Sequence, residues 1–181
     1  MHRLFVAIRP PAAVRDALID LMDGVKGARW VDEEQIHLTL RFIGEVDRHL
    51  AGDIHAALGA VHHPRFTLAL SGLGSFDRSG GASVLWAGVA PHAPLKALHK
   101  KVDQALERVG VAPDRRAFHP HITLARLPRG AGPLRPLVES AGGLTGDPFE
   151  VDEIRLYESA LTHAGPIYTV AGRYPLAPAL P

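Results

Sequence analysis

The spacing of apolar residues along this chain changes period from one segment to the next, and the changes outline the elements. Residues 3–10 open with the short apolar run Leu4-Phe5-Val6-Ala7-Ile8, read as a strand. Pro11 then starts a helix, where its missing N–H costs nothing. Val14, Leu18 and Leu21-Met22 carry its apolar stripe, and Gly24 or Gly27 stops it. Gln35-Ile36-His37-Leu38-Thr39-Leu40-Arg41-Phe42 alternates polar and apolar like a half-buried strand, which places Phe42 on the apolar face. Residues 48–62 return to helical spacing through Leu50, Ile54, Leu58 and Val61. Strands are expected at 65–70 and 83–89, with a glycine-rich turn around Ser79-Gly80-Gly81 between them.

A long helix is predicted over about 94–109, from Leu95, Leu98, Val102, Ala105, Leu106 and Val109, closed by Gly110. A second alternating strand follows at Pro120-His121-Ile122-Thr123-Leu124, then a short helix at 134–140. Residues 149–158 and 167–171 are expected to close the fold as a hairpin, and the Pro- and Ala-rich tail after Pro175 to fray.

This order repeats itself. Strand, proline, helix and His-x-Thr occur first as Leu4–Ile8, Pro10-Pro11 and His37-Leu38-Thr39. They recur as Leu85–Val89, Pro91 and His121-Ile122-Thr123. The spans Pro10 to His37 and Pro91 to His121 are nearly equal, as are His37 to Phe66 and His121 to Phe149. One domain over 1–181 is therefore expected, built of two pseudo-repeats of about 1–80 and 81–181 that set the two His-x-Thr strands on opposite walls of a cleft.

Residues i and i+2 of a strand share a face, so each motif lays an imidazole beside a hydroxyl, with Ile36, Leu38 and Leu40, or Ile122 and Leu124, turned to the core. Phosphoryl transfer at a ribose needs those parts. A neutral imidazole takes a proton from the attacking water, a charged one protonates the departing sugar oxygen, and hydroxyls hold the non-bridging oxygens. A single His-x-Thr is ordinarily a surface histidine beside a β-favouring threonine; its duplication within a repeat is what points to chemistry. His49, His55, His62, His63, His92, His99 and His163 read as solvated side chains on helices or turns. His119-Pro120-His121 could supply half of a metal site, but no Asp or Glu lies near either motif in sequence. Arg115, Arg116 and Arg126 could bind phosphate. Phe42, Phe76 and Phe118 could stack a base, core packing being the expectation for Phe42.

Composition narrows the setting. Cysteine is absent, which excludes disulfides, thiolate catalysis and a cysteine-ligated zinc. Lys plus Arg (20) nearly balances Asp plus Glu (19), so any nucleic-acid contact should be local, at an end or in a pocket. Neither a signal-peptide stretch nor a membrane-length apolar run is present, and the expected setting is cytoplasmic.

His37-Leu38-Thr39-Leu40 with Phe42-Ile43-Gly44-Glu45-Val46, and Phe118-His119-Pro120-His121-Ile122-Thr123-Leu124-Ala125-Arg126, resemble the two-histidine phosphoesterase superfamily. The nearest pattern is its RNA 2′,3′-cyclic phosphodiesterase branch, historically named 2′–5′ RNA ligase. Arg3-Leu4-Phe5-Val6-Ala7-Ile8 and Tyr168 with Tyr174-Pro175-Leu176 extend the resemblance over nearly the whole chain, although relatives often carry tryptophan where Tyr174 stands. The resemblance implies an α+β, bilobal fold: two pseudo-symmetric antiparallel β-sheets forming a central cleft, helices outside, the lobes exchanging strands. It implies metal-independent hydrolysis of a terminal 2′,3′-cyclic phosphate on an RNA end, such as a tRNA fragment, to a 2′-phosphate, with weak ATP-independent 2′–5′ ligation as its reverse. No cofactor and a monomer are expected. His37 would be the acid toward O3′ and His121 would activate water, with Thr39, Thr123 and Arg126 on the phosphate. Strict alternation, however, turns Arg126 away from His121, so the strand must twist, bulge or end. The alternative is a non-catalytic module of the same fold that binds a nucleotide or RNA end.

Overall fold

The computed structural model describes residues 1–77, 83–141, 143–163 and 165–178. The glycine-rich turn expected around Ser79-Gly80-Gly81 lies outside them. The first half runs β1 (His2–Ile8), α1 (Ala12–Ile19), β2 (Arg29–Trp30), β3 (Leu38–Val46), α2 (Arg48–Gly59) and β4 (Phe66–Asp77). The second runs β5 (Ser83–Ala90), α3 (His92–Arg108), β6 (Ile122–Leu127), α4 (Arg135–Ser140), β7 (Phe149–Val151), β8 (Glu153–Thr162) and β9 (Gly165–Pro175). This is an α+β fold with a curled antiparallel sheet and helices at its periphery. Among the described residues no helix is long and apolar enough to cross a membrane.

The helices form where their apolar stripes find the sheet. α3 buries Leu95, Leu98, Val102, Ala105 and Leu106, and α2 buries Ile54 and Leu58. Asp47 caps α2 by accepting the Leu50 N–H at 2.9 Å. Leu95, Leu98, Val102, Leu106, Ile54 and Leu58 join Val6, Ile8, Leu38, Leu40, Leu85, Ile122, Leu124, Ile154 and Leu156 in one core.

The strands follow a single hydrogen-bonded order, β7-β4-β5-β6-β3-β1-β8-β9, with β2 added to β6. The expectation of two separate sheets is corrected in this respect: the arms are joined, but only through the pair Leu38↔Ile122. Beyond that pair β2 takes the edge of β6, through Arg29↔Arg126 and Trp30↔Ala125, so β3 and β6 part company. Each arm also takes a strand from the other half of the chain, since β4 pairs with β5 and β8 with β1.

Three further expectations are corrected. β4 runs on to Asp77 rather than stopping near Leu70, past an irregularity between Leu70 and Leu73 that hides its alternation. β9 extends to Pro175. The tail does not fray at once: the Leu176 N–H bonds the Asp152 carbonyl at 2.7 Å, Leu176 is buried, and the Ala177 N–H bonds the His63 carbonyl.

Candidate active site

Both motif histidines stand one residue ahead of their strands rather than within them. Glu33–Gln35 form a 3-10 turn before His37, and buried Pro120, which has no N–H to give a ladder, precedes His121. Each ring is held alike: His37 Nδ1 lies 2.6 Å from the Gln35 carbonyl oxygen, and His121 Nδ1 lies 2.6 Å from that of His119. A carbonyl only accepts, so each Nδ1 carries the proton and each Nε2 is left to take one up. Gln35 is in turn fixed by its side-chain amide, which donates to the Pro166 carbonyl at 2.8 Å.

The Leu38↔Ile122 pair is antiparallel, so one step outward along the register sets His37 across from Thr123 and Thr39 across from His121. Leu38 and Ile122 point into the core, and the four motif residues line one cleft of about 420 Å³ together with Arg126. The five residues singled out in the sequence are thus brought together.

Arg126 arrives by a bulge. Leu85 pairs with Ala125 and Trp86 with Thr123, leaving Leu124 unpaired. The extra residue resets the alternation: Leu124 and Ala125 are both buried, and Arg126 turns to the cleft. β3 carries the same device, since Val6 pairs with Arg41 and Ala7 with Thr39, leaving Leu40 out. Leu40 and Arg41 are both buried in consequence, and Phe42 emerges 56% exposed on the cleft side. The core role expected for Phe42 is therefore corrected.

The backing of the two imidazoles differs. Behind His37 stand Phe5, 5.0 Å away between ring centroids, and Tyr168, edge-on at 5.4 Å, with Tyr157 stacked on Phe5. This burial, aided by the nearby His121 and Arg9, pushes the His37 pKa down to about 4, against the opposing pull of the Gln35 carbonyl. His121 is backed by Phe76, edge-on at 5.0 Å, and by Trp86 at 6.2 Å. Its pKa is also lowered, by burial first and by the neighbouring His119, while the His119 carbonyl opposes the shift.

Of the other candidates, Phe118 stacks on His99 at 4.1 Å and packs against the core. Arg116 is held by the Asp114 carboxylate at 2.9 and 3.0 Å and stands beside the cleft, and Arg115 is exposed. His119 and His121 lie 6.3 Å apart between ring centroids. Among the described residues no group of three or more His, Asp or Glu is placed to hold a metal ion. Arg29, Trp30 and His163 also line the cleft, which no local pattern signalled: β2 is too short to show a period, and His163 sits beyond the end of β8.

Comparison with known proteins sets the class: the chain is a hydrolase of the phosphodiesterase kind. Residues 9–162 match the 2′-5′ RNA ligase superfamily, and the chain belongs to that family, the two-histidine phosphoesterases of the RNA 2′,3′-cyclic phosphodiesterase type. It is 41% identical over 142 residues to the RNA 2′,3′-cyclic phosphodiesterase of Aeropyrum pernix, covering 76% of this chain and 80% of that one. It is 32% identical over 179 residues to the Escherichia coli protein of the same name, covering 97% of each. The crystal structure of E. coli LigT in apo form superposes with a TM-score of 0.79 at 30% identity, covering 97% of this chain and 98% of that one.

Proposed function

We propose that the chain hydrolyses a terminal 2′,3′-cyclic phosphate on RNA to a 2′-phosphate, with His37 and His121 as its acid–base pair and no metal or cofactor. The observation that carries this is the matched pair of Nδ1-tethered imidazoles, which present two Nε2 atoms to one cleft beside Thr39, Thr123 and Arg126. Water attacks phosphorus as His121 Nε2 takes its proton. The P–O3′ bond breaks, and O3′ takes a proton from His37 Nε2. One water is consumed, and the protons gained by His121 and lost by His37 are exchanged with solvent. The two threonine hydroxyls and the guanidinium hold the non-bridging oxygens, where charge gathers. In the free protein His37 is neutral at pH 7; its acid role rests on the anionic phosphodiester, which favours imidazolium.

The reverse path, with an RNA 5′-hydroxyl in place of water, forms a 2′–5′ bond without ATP. The pairings β1·β3 and β5·β6, β1·β8 and β5·β4, correspond one to one, which supports reading the two halves as pseudo-symmetric lobes that exchange strands. Both histidines belong to one chain, so a monomer suffices, and the cytoplasm is the proposed setting.

The test is a short RNA ending in a 2′,3′-cyclic phosphate, incubated in EDTA, with the 2′- and 3′-phosphate products resolved. Clean 2′-phosphate, lost in His37→Ala and His121→Ala variants that still fold, is expected. Fully active variants sink the acid–base pair. Tight binding without turnover points instead to a binding module, and inhibition by EDTA to a metal.

A further inference from the structure

Next to the phosphate cleft lies a second recess of about 300 Å³, of which the reaction just described uses Arg126 alone. Arg3, Arg116 and Arg126 edge it, with Phe42, Leu161 and Tyr168 between them. Two features set it apart. Phe42 and Leu161, 56% and 69% exposed, are large apolar side chains left in water, and the two meet in this recess. The positive charge is also largely unspent. Arg116 is bound by Asp114, but among the described residues neither Arg3 nor Arg126 forms an ion pair, and the fields of both reach the Tyr168 hydroxyl. Glu45 stands across from Arg3 on β3, and Glu158 of β8 is taken up by His2 at 2.9 Å.

Exposed flat or apolar surfaces interleaved with guanidiniums suit a single-stranded polynucleotide, whose bases stack while its phosphates are neutralised. We infer that this recess holds the nucleotides just upstream of the cyclic phosphate, so that the enzyme prefers an RNA chain to a cyclic mononucleotide, with Arg3 and Leu161 as specificity-determining residues. Arg126 and Phe42 line both recesses and give the chain a continuous path from one to the other. This inference rests on the function proposed above.

The experiment compares a 2′,3′-cyclic mononucleotide with an RNA of about five nucleotides carrying the same end, for wild type, Arg3→Ala and Leu161→Ser. Both side chains are exposed, so the variants keep the fold. Wild type is expected to favour the longer substrate in kcat/KM. Arg3→Ala should raise KM for the longer RNA about tenfold, the scale of one charge-assisted hydrogen bond, and leave the mononucleotide within about twofold. Leu161→Ser should act in the same direction. The salt dependence of binding to the longer RNA should fall by about 0.7 in log–log slope in Arg3→Ala. Equal kcat/KM for the two substrates in wild type overturns the inference, as does an Arg3→Ala loss shared by both or absent from both. Binding of the corresponding 2′-phosphate-ended RNA and mononucleotide, followed by fluorescence anisotropy and competition, decides the matter without turnover. Failure of hydrolysis would then count against the proposed reaction alone.

Discussion

His37 Nδ1 sits 2.6 Å from the carbonyl oxygen of Gln35, two residues back along the chain, and His121 repeats that distance to His119. A bond to the residue two positions back costs little loop entropy and fixes the ring without a carboxylate partner. Both rings are therefore expected as Nδ1–H tautomers above their pKa values. Ring 15N chemical shifts measured by NMR at pH 8 check this, and an Nε2–H signature for either ring contradicts it.

The rate should depend on pH in a particular sense. Both histidines titrate below the usual 6.5, His37 at about 4, so in the free protein the scarce species is the imidazolium that must serve as acid. The alkaline limb of kcat/KM should accordingly fall below pH 6.5. A bound anion favours imidazolium, so the alkaline limb of kcat should lie higher. Initial rates from about pH 4 to 9 give both limbs, which belong to the pair rather than to one residue. Coincident limbs would show that substrate charge leaves the pair untouched.

Stability should carry the same signature. A histidine whose folded pKa is depressed from 6.5 to about 4 favours the neutral form on folding. The unfolded chain then binds more protons between those values, so this contribution is complete above pH 6.5 and is lost as pH falls toward 4. The difference amounts to at most about 3 kcal/mol. Urea unfolding of wild type and His37→Gln across that range should show a smaller acid loss in the variant. Parallel pH curves would refute this cause.

Gly74 underlies the His121 wall. A Cβ there would meet the Trp86 ring at 2.3 Å, and Trp86 packs on both His119 and His121. Gly74→Ala should cost about 1–3 kcal/mol by overpacking. It should also lower kcat more than the change Gly52→Ala on α2, whose Cβ meets nothing within 4 Å.

Arg41 is expected to hold the second motif from a distance. Its buried guanidinium donates to the Asp103 carboxylate at 2.5 Å, to the Phe42 carbonyl at 2.7 Å and to the Ala112 carbonyl, which ties β3 to α3 and to the segment leading to His119. Arg41→Ala should cost about 3–5 kcal/mol in chemical unfolding, because Asp103 loses its partner. Arg41→Lys should recover only part of this, since one ammonium cannot span three acceptors on a planar fork.

The residues legible in advance were those whose role is local. A strand of period two puts a histidine and the threonine two places on together, and the doubled His-x-Thr needed nothing more to set His37 beside Thr39 and His121 beside Thr123. Helical stripes such as Leu95, Leu98, Val102 and Leu106 were readable for the same reason. The faces of Arg126 and Phe42 were not, although Arg126 was already singled out for the phosphate. Their faces depend on bulges at Leu124 and Leu40, and a bulge exists only in the register between two strands, β6 with β5 and β3 with β1. The unequal backing of the two histidines was equally hidden, because Phe5, Tyr157 and Tyr168 come from three strands distant in sequence, and burial is set by all of them at once. Sequence by itself thus determined which chemical groups the chain brings and how they pair along each strand. The tertiary structure alone decided which face each group turns to after a bulge, and how strongly the surroundings hold a proton off His37, since both follow from contacts between segments that are not neighbours in the chain.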